Sequence, residues 1–128
     1  MSHHFPIRVY YEDTDMGGIV YYANYLKFIE RARSDWVREI GIDQNDLRDQ
    51  GIVVAVRRVE ADYLAPARFD DRLDVETLTQ AVTGARLVLE QRIRRAGELL
   101  FTAVVTVVCL GEGGQPARLP ANIRLMLH

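Results

Sequence analysis

Cysteine occurs once in the 128 residues, and histidine three times, as His3, His4 and His128 at the two ends of the chain. A lone Cys109 excludes an intrachain disulfide framework and suits a reducing compartment. With no internal histidine, a Ser-His-Asp or Cys-His arrangement has no base, and chain ends are where order is least assured. No Cys/His cluster exists to hold a metal, so neither metal nor other cofactor is expected. The longest apolar run, near Val104–Leu110, is too short to span a membrane and is interrupted by Thr106. The first residues, Met-Ser-His-His-Phe-Pro-Ile-Arg, lack the apolar stretch of a signal peptide, which points to the cytoplasm without membrane insertion. A net charge of −2 gives no basic footprint and argues against nucleic acid as a partner. What remains, 48% hydrophobic and 27% charged residues, is the composition of one ordinary globular domain spanning residues 1–128.

The chain is organised around Tyr10–Gly41. An acidic loop with Glu12, Asp13 and Asp15 meets a Gly17-Gly18 break, and an amphipathic helix is predicted over Ala23–Ile40. Tyr25, Phe28, Ile29, Ala32, Trp36 and Ile40 recur at steps of three and four and share its buried face. Asn24 suits the N-cap, and Gly41 suits a left-handed stop. At about 1.5 Å per residue the helix spans roughly 27 Å, enough to cross a sheet. A carboxylate thus lies a few residues before a helix N-terminus, whose unpaired N–H groups can receive an oxyanion.

The rest reads mainly as strands. Pro6–Tyr11 is a candidate first strand. Asp43–Gln50 adds a helical turn or two, ended by Gly51. Val59, Ala61 and Tyr63 alternate with charged residues at the period of a half-buried strand, which Pro66 ends or bulges. Arg72–Thr83, Arg86–Arg95 and Leu99–Leu110 suit antiparallel hairpins. Thr102–Leu110 is apolar on both faces, which places it centrally. A turn at 111–116 and a short helix from Pro120 to Leu127 complete the chain. One long helix and an antiparallel run make an α+β layout.

Tyr11-Glu12-Asp13-Thr14-Asp15, then Gly18-Ile19-Val20-Tyr21-Tyr22 and Asn24-Tyr25, resembles the signature of the 4-hydroxybenzoyl-CoA thioesterase family of hotdog-fold proteins. Glu30-Arg31-Ala32-Arg33, Asp62-Tyr63-Leu64-Ala65-Pro66-Ala67-Arg68 and Asp70-Asp71 look like its bacterial Tol–Pal-associated acyl-CoA thioesterase branch. Gly84, Leu87 to Ile93 and Val107-Val108-Cys109 add to the likeness. The resemblance implies a hotdog fold, a long central helix wrapped by a five-stranded antiparallel sheet. It also implies hydrolysis of an acyl-CoA to free acid and CoA. It places the catalytic aspartate at Asp15, acting as nucleophile or general base, and the carbonyl on main-chain N–H groups at the helix start. The N–H of Tyr22 is then the donor, and Gly17 and Gly18 let the backbone approach the substrate. Many members of the bacterial branch carry a histidine where this chain has Tyr22. The phenol removes a group that titrates near neutrality but leaves the backbone donor. Family members form dimers and tetramers with sites between subunits, so a homodimer or homotetramer is expected.

The alternatives are instructive. Asp15 can simply cap a turn, as aspartate often does. A calcium loop counted from Asp13 would put Gly17 and Asn24 where two ligands are wanted, and fails. Asp13 then reads as a solvated or capping residue, and Glu12 as a salt-bridge partner. Ser34 has no nucleophile-elbow context, and Cys109 reads as core. Glu30 and Arg33 can pair on the helix or belong to an interface. The arginines Arg57, Arg58, Arg86, Arg92, Arg94, Arg95, Arg118 and Arg124 suit surface charge or CoA phosphates. A short- or medium-chain acyl group and an aromatic one stay open, as do CoA and acyl carrier protein as carrier. A non-catalytic acyl-binding or scaffold protein is the other functional class.

Overall fold

A computed structural model describes residues 2–127. Five long strands, β1 (Ser2–Arg8), β2 (Val53–Tyr63), β3 (Arg72–Val82), β4 (Arg86–Arg95) and β5 (Glu98–Leu110), form one antiparallel sheet in the order β1-β3-β4-β5-β2. A two-residue sixth strand, β6 (Pro116–Ala117), pairs with Cys109 and Leu110 just beyond Val108, the partner of the first residue of β4. The expected five-stranded sheet is therefore present with one short addition. Ala96 and Gly97 both adopt positive φ in the two-residue β4–β5 turn, the geometry that matches the twist of a hairpin.

Two strands begin earlier than the sequence pattern indicated. β1 starts at Ser2, and Pro6 is tolerated within it because β1 is an edge strand, while Tyr11–Asp13 forms a single 3₁₀ turn. β2 starts at Val53, and Val53-Val54-Ala55-Val56 shows no alternation because this edge strand is largely exposed along both faces. The expectation that the terminal histidines are poorly ordered is also corrected for two of them. His3 and His4 lie in β1, and buried His3 places its Nε2 2.9 Å from Asp35 and 3.1 Å from Glu39 on the long helix. His128 lies outside the described residues.

That helix, α1 (Asn24–Glu39), lies against the sheet. Its Tyr25, Phe28, Ile29 and Ala32 are buried, and Trp36 and Ile40 pack at the edge of the same core, as their spacing requires. Gly41, at φ +92°, ends it. Its N–H reaches Arg38 O at 3.0 Å and the Ile42 N–H reaches Val37 O at 3.1 Å, a paired left-handed stop. A short α2 (Gln44–Asp49) is capped by Asp43, and α3 (Ala121–Leu127) closes the far end. Against α1 stand Leu89, Ile93, Phe101 and Val105 from β4 and β5. The inward face of β5 is sealed, whereas Thr102, Val104, Thr106 and Val108 on its other face are only half-buried.

One polar side chain sits at 0% exposure among them. Gln91 donates to Ile29 O and Thr77 Oγ1 and accepts from Arg33, so every polar atom it brings inside is paired. Carboxylates on β3 and in the loop before it are held by arginines. Arg94 donates to Glu76 at 2.7 Å and keeps its carboxyl below the ordinary value of 4.5. Burial would raise Asp71, but the Arg68 N–H and the Arg95 guanidinium outweigh it and hold the group below 3.8.

A carboxyl lowered on folding contributes stability above its unfolded value and loses it as the pH falls through the folded value. Thermal unfolding should therefore show a Tm that is flat down to about pH 5 and then declines, with a smaller decline in Arg94→Met. An equal acid slope in both proteins would contradict the assignment.

Candidate active site

The loop between β1 and α1 is built from three short segments that hold one another. Thr14 pairs with Val20, and Ile19 pairs with Arg68, as isolated antiparallel bridges. Between them the chain reverses over Asp15-Met16-Gly17-Gly18. The Gly18 N–H bonds Asp15 O and the Asp15 N–H bonds Ile19 O, both at 3.0 Å. Gly18 sits at φ +76°, which a side chain there would strain. A β-carbon on Gly17 would come within 3.2 Å of Asp15 Oδ1, so this backbone runs close to the carboxylate.

Asp15 is exposed at the head of that turn. Its Oδ1 accepts the Gly17 N–H at 2.8 Å, the local turn bond that aspartate favours. Among the described residues Oδ2 has no hydrogen-bond partner. The turn-capping role and a chemical role therefore coexist in one side chain, with one oxygen fixing its orientation and the other turned free.

Asp13, two residues earlier, differs. It is 5% exposed, not solvated, and its carboxylate accepts the Tyr10 N–H at 2.9 Å and the Asn24 amide at 3.1 Å. Its carbonyl takes the Tyr21 N–H at 2.8 Å. The capping half of the expectation for Asp13 thus stands. Asn24 is correspondingly not the N-cap. It is the first helical residue, with Ala23 before it, because its side chain points back to Asp13. Glu12 forms no ion pair among the described residues.

The helix start leaves donors available. The N–H groups of Tyr22 and Ala23 have no backbone acceptor among the described residues. The Tyr22 ring is 62% exposed and meets Tyr63 edge-on at 6.3 Å. Tyr63 Oη donates to Tyr22 O at 2.9 Å, which pins the peptide next to those free donors. Burial, followed by Tyr22 and Tyr25, pushes the Tyr63 phenol up, so it stays protonated as a donor at neutral pH. A carboxylate oxygen without a partner among the described residues, in a loop that leads into unpaired main-chain N–H groups, is an arrangement that can attack, or activate water towards, a carbonyl whose oxygen those groups receive.

Ala67 supplies a link that single-sequence reading had no signal for. Its N–H donates to Tyr25 Oη at 3.0 Å and its carbonyl takes the Val20 N–H at 2.8 Å, so the Ala65-Pro66-Ala67-Arg68 segment braces both helix and loop. Tyr25 in turn stacks on Phe101 at 5.1 Å. Cys109 is buried and its thiol is pushed up by that burial, the state of an inert core cysteine. Of the arginines noted, Arg58, Arg92, Arg94 and Arg95 are already paired with carboxylates.

A model of the thioesterase-like superfamily matches residues 9–127. The chain belongs to that superfamily. It is 41% identical over 126 residues to acyl-CoA thioesterase YbgC of Haemophilus influenzae, covering 97% of this chain and 93% of that protein. It is 43% identical over 120 residues to acyl-CoA thioester hydrolase YbgC of Escherichia coli, covering 92% and 90%. The crystal structure of a probable thioesterase from Bartonella henselae superposes with a TM-score of 0.88 at 38% identity, over 94% of this chain and all of that one. An Asp-to-Asn variant of 4-hydroxybenzoyl-CoA thioesterase, crystallised with 4-hydroxybenzoyl-CoA, shares the fold at TM-score 0.91 and 21% identity, covering 99% of each chain. The hotdog fold is thereby shown. No helix among the described residues is long and apolar enough to cross a membrane.

Removing the buried brace should cost more than removing the exposed carboxylate. Asp13→Ala leaves the Tyr10 N–H and the Asn24 amide unpaired and should lower stability by roughly 1–3 kcal/mol, against a few tenths for Asp15→Ala. Equal unfolding midpoints in urea for the two variants would refute this ranking.

Proposed function

We propose that this chain hydrolyses acyl-CoA thioesters, with Asp15 as the catalytic carboxylate. The observation that carries the proposal is the asymmetry of that side chain, Oδ1 held by Gly17 and Oδ2 without a partner among the described residues, in a loop that runs into the unpaired N–H groups of Tyr22 and Ala23. The carbonyl oxygen sits on the Tyr22 N–H and gains its strongest hydrogen bond as it becomes an oxyanion. Gly17 and Gly18 keep the approach clear of side chains. Oδ2 then either attacks the carbonyl carbon, expelling CoA and leaving an anhydride for water to cleave, or takes the proton of an attacking water. On direct attack CoA leaves as the thiolate and takes its proton from solvent, whereas in the general-base route the proton that Asp15 took from water can pass to the departing sulfur. The 41–43% identity to named acyl-CoA thioesterases supports the carrier as CoA in preference to acyl carrier protein.

The acyl group we propose is short, medium or aromatic, since the surface flanking the loop is aromatic. Tyr11 stacks on Phe69 at 4.2 Å, and Tyr21 lies 4.9 Å from Tyr22. The working form is an obligate dimer, assembling further to a tetramer. β2 is an eleven-residue edge strand with exposed Val53, Val54, Val56, Val59 and Tyr63, an edge that a second copy can extend into a continuous sheet.

Asp15→Asn should remain folded while kcat/KM for acyl-CoA falls by about 10²–10⁴, the usual worth of a positioned acid–base group. Near wild-type thiol release would overturn the assignment. In a single turnover in ¹⁸O-water, label in the Asp15 carboxylate marks direct attack, and label in the product acid alone favours general-base hydrolysis. Light scattering should give a multiple of the chain mass. A fully active monomer would refute the assembly.

A further inference from the structure

A second feature lies away from the Asp15 loop. Between the C-terminal half of α1 and the β2 side of the sheet is a cavity of about 180 Å³, walled by Trp36, Leu89, Val107 and Ile123 among other apolar residues. Two charged side chains of α1 line it, the half-buried Arg33 and the exposed Glu30. Among the described residues one hydrogen bond engages the Arg33 guanidinium, Nη1 donating to Gln91 Oε1 at 2.9 Å. Gln91 is neutral and its amide is committed to Ile29 O and Thr77, so it satisfies geometry without balancing charge.

The nearest acidic neighbour along the helix does not balance it either. Glu30 attracts Arg33, but it accepts from Ser34 at 3.0 Å, and among the described residues no carboxylate lies within ion-pair distance of Arg33. Burial pulls the guanidinium below its ordinary value, the cost of a charge partly stripped of water. The remaining N–H donors are not sealed off either, since Arg33 has no buried unpaired atom among those of the described residues. A guanidinium fork with no direct ion pair among the described residues, at the wall of a largely apolar cavity, is complementary to a carboxylate carried on an apolar body. The size is set by the space. A dry cavity of about 150 Å³ accepts benzene, so this one takes one aromatic ring or a chain of about six to eight carbons.

We propose that this cavity binds a free apolar monocarboxylic acid, its carboxylate on Arg33 and its body against Trp36, Leu89 and Val107. A thioester is uncharged at its acyl carbon, and hydrolysis turns that carbon into a carboxylate. The site therefore discriminates acid from ester, and occupancy follows accumulation of the reaction product. Naming the acid as product rests on the thioesterase reading, whereas the binding itself does not require turnover.

Trp36, the one tryptophan in the sequence, reports on occupancy. Benzoate and hexanoate, titrated into the full chain without acyl-CoA, should change its emission saturably in the millimolar range or below. Benzamide and hexanamide, equal in shape but neutral, should bind at least about tenfold more weakly, the worth of one charge-assisted pair. Calorimetry on the same samples covers a silent fluorophore. Arg33→Met should abolish the preference for acid over amide. Because it also strips Gln91 of a donor, Val107→Phe, which fills the cavity and keeps the Arg33–Gln91 bond, should abolish binding of both classes while unfolding cooperatively. Equal affinity for acids and amides, unchanged binding in Val107→Phe, or no saturable binding by either method overturns the proposal. Loss of thioesterase activity alone leaves it standing, and failure to bind acids leaves the role of Asp15 standing.

Discussion

The buried carboxylate of Asp13 is the constraint on which the candidate site depends. One oxygen takes the main-chain N–H of Tyr10, two residues past β1, the other takes an amide proton from the first residue of α1, and its own carbonyl takes the Tyr21 N–H. Strand end, loop and helix start are thereby one hydrogen-bonded unit. A buried carboxylate is costly unless it finds hydrogen-bond donors, and here the donors are Tyr10 on one side and Asn24, eleven residues on from Asp13, on the other. The loop has this shape because the charge has few other places where it is satisfied.

Two carboxylates two residues apart are thus divided in role by burial alone. Asp13 is enclosed and fully engaged, and Asp15 is exposed and half engaged. The backbone between them passes through the Thr14–Val20 bridge, and the turn beyond is tight enough that only glycine fits Gly18 without strain. Behind this loop stands the stack of Tyr25 on Phe101, and beside it Ala67 joins the Tyr25 hydroxyl to the Val20 N–H. Core packing and the orientation of the loop are therefore one problem with one solution.

Much of this was legible in the sequence, for identifiable reasons. The three- and four-residue spacing of Tyr25 to Ile40 reports a buried helix face, and Gly41 reports its end. Strands β3, β4 and β5 announce themselves by length and by their turns. Elsewhere local pattern had no purchase. Val53–Val56 shows no period, because a strand exposed on both faces is under no demand to alternate. His3 looked like part of a loose end, since its partners Asp35 and Glu39 lie more than thirty positions away. Asn24 has the composition of a cap, yet a distant carboxylate competes for its side chain and wins. Ala67 acts through its backbone, and a backbone contact leaves no mark on residue identity.

On the proposed mechanism this hydrogen-bonded unit holds one carboxylate oxygen of Asp15 against a carbonyl received by the start of α1. The most direct measurement is a crystal structure with a non-hydrolysable acyl-CoA analogue in which a methylene replaces the thioester sulfur. The analogue's carbonyl oxygen should lie within hydrogen-bond distance of the Tyr22 N–H, and its carbonyl carbon should face Asp15 Oδ2 with Oδ1 still on Gly17. An analogue whose carbonyl lies out of reach of both Asp15 and the Tyr22 N–H, in an otherwise unchanged loop, would contradict it.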